Sequence, residues 1–116
     1  MQFMVSMITD GSYMQEATAE QMQELGAEMG KFMGELADAG ALVHTGRLGP
    51  SAGARTLRYG DRGRPVVTDG PFAESKEQFA GYMVLECEDL DEVVGWIERM
   101  PVRRASVEVR EIVESG

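Results

Sequence analysis

A single apolar stripe along residues 18–39 limits the folds open to this chain more than any other feature. Met22, Leu25, Met29, Phe32, Met33 and Leu36 recur every three or four residues, which is the spacing of one helix face. Glu20, Glu24, Glu28, Lys31, Glu35 and Asp38 take up much of the remaining surface. A helix that is apolar on one side must lie against something, and the flanking sequence supplies strands. Thr18 and Gln21 have the spacing of a capping box, in which two side chains satisfy orphan amides at the helix start. Gly40 ends the helix, because glycine tolerates positive φ.

Phe3 to Ile8 reads as a strand, stopped by the turn chemistry of Asp10-Gly11-Ser12. Ala41 to Thr45 reads as a second strand, and Gly49 to Gly53 as a loop. Thr56 to Tyr59 and Pro65 to Thr68 flank Gly60-Asp61-Arg62-Gly63 and predict a β-hairpin. Pro65 confines the second arm to an edge or a strand start, because it has no N–H to donate. From Phe79 to Cys87 the residues alternate. Phe79, Gly81, Met83, Leu85 and Cys87 fall on one face, and Ala80, Tyr82, Val84 and Glu86 on the other. Asp89 and Glu92 repeat the capping-box spacing before Leu90, Val93, Val94 and Ile97, and Pro101 closes that shorter helix. Ser106 to Val113 forms a final strand.

With the hairpin set aside, the order is βαββαβ, an α+β chain of the ferredoxin-like, split-βαβ type. Both helices then cover one face of an antiparallel sheet. The other face also carries apolar side chains, and no element is left to cover it. Two copies packed face to face, a homodimer, are therefore expected.

The 116 residues make one domain, 1–116, without an internal repeat or linker. With 20 acidic and 11 basic side chains the net charge is −9, which argues against nucleic acid and against an anionic membrane surface as partners. No apolar run approaches a membrane span, and the N-terminus lacks the pattern of a signal peptide. One cysteine, Cys87, excludes an internal disulfide and fits a cytoplasmic setting. The glycines form no phosphate-binding motif, and a lone histidine with no cysteine cluster offers no recognised metal spacing, so neither cofactor nor metal is expected.

Val67-Thr68-Asp69-Gly70-Pro71-Phe72-Ala73-Glu74-Ser75-Lys76-Glu77-Gln78, leading into a strand that opens on Gly81-Tyr82, resembles the DGPF-domain proteins of the YCII-related superfamily. The similarity extends to Asp38–Val43, to Asp89–Glu92 and to Val107–Arg110. It implies a dimeric α+β barrel of bacterial origin without an established reaction. Some relatives of this kind are encoded beside extracytoplasmic-function sigma factors, which makes a sigma-factor association an implied partner. The YCII-like branch carries a histidine on the first helix, suspected of pairing with an aspartate. That position falls near Met29, and residues 18–39 hold no histidine, so this dyad is not implied here.

Asp69 is the leading candidate for chemistry. Gly70 and Pro71 restrict the turn behind it and would aim its carboxylate, either as a general acid or base or as an acceptor for a local amide such as that of Phe72. His44 is either a proton shuttle, with Asp69 as orienting partner if the two meet, or a strand histidine bonded to a carbonyl. Glu74, Lys76 and Glu77 would orient a substrate or form a solvated loop, and Ser75 with Gln78 has the spacing to cap a short helix. Arg47, Arg55, Arg58, Arg62 and Arg64 cluster in or beside the hairpin, where they would hold an anion, keep an edge soluble or meet a second subunit. Tyr13, Tyr59 and Tyr82 are candidate donors to a ligand, whereas Trp96, Cys87 and the methionines read as packing. The expected site is catalytic Asp69 and His44 with Tyr82, Glu74, Lys76 and Arg58 around a small polar metabolite. A regulatory module docking through its acidic helix is the rival expectation.

Overall fold

Alternating strands and one-sided helices assemble as their patterns require. A computed structural model describes residues 1–114. The order is β1 (Gln2–Thr9), α1 (Ser12–Glu16), α2 (Ala19–Asp38), β2 (Leu42–Arg47), β3 (Arg55–Arg58), β4 (Val66–Asp69), β5 (Gln78–Glu86), α3 (Leu90–Glu98) and β6 (Ala105–Ile112). Strands β2-β5-β1-β6 make a four-stranded antiparallel sheet. β3 and β4 pair only with each other, as an arm inserted between β2 and β5. This is the ferredoxin-like α+β arrangement with an inserted hairpin.

Local chemistry sets the element ends. The Thr18 hydroxyl accepts the Gln21 N–H at 3.1 Å, and the Gln21 side-chain oxygen accepts the Thr18 N–H at 2.9 Å, a complete capping box. Asp89 caps α3 with half of that pattern, accepting the Glu92 N–H at 2.9 Å. The Glu92 carboxylate accepts from the Glu88 N–H at 2.9 Å rather than from the Asp89 N–H, so the expected second capping box is not closed. After α2, Gly40 takes φ 72°, which releases the chain into β2.

Phe3, Val5, Met83 and Leu85 project from the central strands against Phe32 and Leu36 of α2 and Val93 of α3, with Ala41, Cys87 and Met100 closing the cluster. Trp96 meets Phe32 edge to face, the centroids 6.3 Å apart. Among the described residues no element covers the opposite sheet face. The molecule is accordingly a slab, 48 × 38 × 18 Å.

The structure departs from the sequence reading at three further places. Asp10-Gly11-Ser12 ends β1 but opens a single helical turn, α1. There Asp10 accepts the Ser12 N–H at 2.9 Å, a bond that holds its carboxyl below the usual range. Ser75 and Gln78 start no helix. The Gln78 side-chain amide instead donates to the carbonyls of Ala73 and Ser75, both at 2.8 Å, and Gln78 begins β5. Phe79 is 60% exposed rather than facing the helices. The register with β1 jumps from Met7–Gly81 to Ile8–Phe79, and the extra residue, Ala80, turns Phe79 to the uncovered face.

Two substitutions test this frame by urea unfolding. Leu85→Ala, at a fully buried position, should lower stability by about 3 kcal/mol. Thr18→Ala, which removes the cap alone, should cost about 1 kcal/mol. The m-value should stay unchanged in both.

Candidate functional site

The uncovered sheet face presents a mixed surface rather than a purely apolar one. The register places Tyr82, Ser6 and Glu108 in one row and His44, Val84, Met4 and Arg110 in the next. Arg110 and Glu108 form an ion pair at 2.7 Å. The rows meet where the Tyr82 hydroxyl stands 2.8 Å from His44 Nδ1.

Two backbone features build that contact. Leu42 pairs with Leu85 but His44 pairs with Val84, so β2 holds one extra residue, Val43. In unbroken register His44 would stand opposite Met83, on the helix side; the bulge re-aims its ring to the open face. Gly46 lies directly opposite Tyr82, and a Cβ there would sit 2.8 Å from the tyrosine Cε1. The missing side chain lets the Tyr82 ring lie across β2 toward the imidazole. The ring centroids are 5.4 Å apart. Thr45 fastens the two strands by donating its hydroxyl to the Tyr82 carbonyl at 3.0 Å.

This contact works in both proton directions. With the neutral ring protonated on Nε2, the tyrosine hydroxyl donates to Nδ1; with the proton on Nδ1, the ring N–H donates to the hydroxyl oxygen. The hydrogen bond can thus run in either direction without rearranging its heavy atoms.

Asp69 lies elsewhere. It ends β4, its side chain is 88% exposed, and it accepts from Arg55 Nε at 3.2 Å. Among the described residues no hydrogen bond joins it to His44 or to the Phe72 amide. The turn behind it is held through its backbone instead. Gly70, at φ 105°, donates its N–H to the Ala54 carbonyl at 2.7 Å, and the Thr56 hydroxyl donates to the Gly70 carbonyl at 3.0 Å. Arg58 donates to the Phe72 carbonyl at 2.9 Å and lies over the Phe72 ring, so its guanidinium serves the loop. Glu74 and Lys76 are exposed and make no ion pair among the described residues. His44 and Tyr82 are therefore the expected site residues that the fold brings together; Asp69, Arg58, Glu74 and Lys76 belong to the arm and its loop. Gly46, which makes room for the Tyr82 ring, is a residue that the sequence reading left out, and a glycine continuing a strand pattern is the signal that marks it.

Two shallow recesses lie away from this pair. One is lined by Glu28, Lys31, Phe32, Glu35, Arg99 and Pro101, the other by Met1, Glu86, Cys87, Glu88 and Glu92. Burial and the nearby Glu92 push the Cys87 thiol up, away from nucleophilic character. Among the described residues no group of three His, Cys, Asp or Glu could hold a metal ion, and no helix is long and apolar enough to cross a membrane.

The geometry has a spectroscopic consequence. In ¹⁵N NMR of neutral His44, Tyr82→Phe and Gly46→Ala should each move the Nδ1 resonance, whereas Asp69→Asn should leave it in place. Asp69→Asn should also change stability by less than about 1 kcal/mol, as expected for an exposed ion pair.

Comparison with known proteins agrees with this architecture. Over 73 residues the chain is 41% identical to an uncharacterized protein of Rhizobium meliloti (strain 1021), a stretch covering 63% of this chain and 55% of that protein. The chain thus matches little more than half the length of that relative. The sequence profile of the YCII-related domain matches residues 1–115, the helices and strands of the split βαβ unit and the inserted arm together. On the strength of that end-to-end match, the chain belongs to the YCII-related family.

Proposed function

We propose that the protein is a homodimer joined through its uncovered sheet faces, and that it binds a small polar metabolite at the His44–Tyr82 pair and transforms it by cofactor-free acid/base chemistry. The observation that carries this reading is the 2.8 Å contact between the Tyr82 hydroxyl and His44 Nδ1, set on the face that no element of the chain covers. A bulge and a glycine are both spent on making it.

The surface area supports the association. A folded monomer of 12.7 kDa exposes about 6,200 Å² by the size scaling of compact proteins. This chain exposes 8455 Å², an excess of about 2,200 Å² over that scaling. Closing a second copy over the open face would remove water from the pair and strengthen every charge interaction within it. The tyrosine hydroxyl would take a proton from the ligand while passing its own to Nδ1, and the resulting imidazolium would return it in the reverse step. The rival reading, docking through an acidic helix, has two α2 carboxylates already engaged: Arg103 meets Glu28 at 3.2 Å and Arg99 pairs with Glu35, while Glu20 and Glu24 make no ion pair among the described residues.

Small 2-oxo and hydroxy acids are suitable probes, since proton transfer beside a carbonyl needs no organic cofactor. With pyruvate in D₂O, the protein should bind and accelerate loss of the methyl proton signal. Tyr82→Phe and His44→Gln should each slow exchange by about 100-fold or more, and Lys76→Ala should not. Absence of both binding and exchange across such acids, or rates unchanged in the two variants, would remove this function.

A further inference from the structure

The β3–β4 arm has no core of its own. Leu57 and Val67 are direct cross-strand partners and so share one face of the hairpin, and Tyr59 follows the end of β3. They are 47%, 54% and 73% exposed. On the opposite face Arg58 donates to the Thr68 hydroxyl and the Phe72 carbonyl, while its cross-strand partner Val66 is exposed. A two-stranded hairpin with four residues in each strand is at best marginally stable in water unless something packs on it.

We infer that the exposed apolar surface of the arm around Leu57 and Val67 is a clasp that seats on a second copy of this chain; the inference rests on the homodimer proposed above and extends its interface beyond the sheets. Position argues for this occupant. Four strands about 4.8 Å apart and eight residues of about 3.3 Å each project to about 500 Å² of open sheet, and the arm adds exposed apolar side chains to it. The arm is the other large uncovered element. It leaves the sheet at the end of β2 and returns into β5, neighbouring strands of the open face, so its base is continuous with that face. Charge agrees. From Arg55 to Asp69 the arm carries four arginines against two aspartates, one of them paired with Arg55, in a chain whose net charge is −9. A basic arm is attracted to the body of an acidic copy and not to another arm.

Sedimentation equilibrium and amide hydrogen exchange on the full chain test the clasp. Wild type should be dimeric at micromolar concentration. In the dimer the amides of residues 55–58 and 66–69 should be protected at least tenfold more than in Val84→Asp, which places a charge on the open sheet face and should be monomeric. The double variant L57D/V67D should raise the dimer dissociation constant at least tenfold while protection in α2 and β1 stays intact. If Val84→Asp loses that core protection as well, Met4→Glu takes its place as the monomer. Arm amides that exchange equally in dimer and monomer would overturn the clasp and leave the sheet-face dimer standing. So would an unchanged dissociation constant for L57D/V67D. A monomeric wild type would overturn both.

Discussion

Phe3, Val5, Met83 and Leu85 of the central strands press against Phe32, Leu36 and Val93 of the two longer helices, and the rest of the molecule depends on that one contact. It forms because the apolar stripe of α2 meets strands whose alternate residues are apolar. It is also one-sided. A helix layer can bury only one face of a sheet, so each residue that a strand places toward the helices leaves a neighbour pointing away. The open surface carrying His44 and Tyr82 is thus the necessary counterpart of the core.

Much of the fold was legible because its determinants are local. The capping box at Thr18, the stripe that follows, the second cap at Asp89 and the glycine after α2 each act within a few residues of chain, and the structure contains all of them. What stayed hidden depends on register between distant strands. Alternation from Phe79 to Cys87 is a fair reading of an isolated strand, but pairing with β1 inserts Ala80 and reverses Phe79. The same cause hid the site. Nothing near His44 in sequence announces that Val43 bulges, or that Tyr82, 38 residues away, will reach across Gly46. Ser75 and Gln78 show the converse. Their spacing fits a cap, but no apolar periodicity follows it, and Gln78 is drawn into β5 instead.

The motif that draws attention in the sequence and the pair that the fold assembles are different things. Asp69-Gly70-Pro71-Phe72 is held by bonds to its carbonyls and amides, from Thr56, Arg58 and Ala54. Those residue types are explained by the turn: Gly70 supplies a positive φ, and the Phe72 ring lies beneath the Arg58 guanidinium. The His44–Tyr82 contact has no such local explanation. It stabilises no turn and fills no core, and it costs the strand a regular register and a side chain at position 46. Under the acid/base function proposed above, chemistry rather than packing would set the requirement at these positions.

The 18 Å thickness of the slab reaches further than shape. A sheet with one helical layer has no interior left over, so a ligand on the open face of a single chain remains in contact with bulk water. In the proposed dimer the enclosing wall is the other chain, and ligand uptake and subunit association become a single linked equilibrium. Ligand that binds only the associated form must tighten association, and dilution of the protein must weaken the apparent affinity for ligand by the same free energy. The abundance of the chain then acts as a control on its occupancy, without any separate regulatory site.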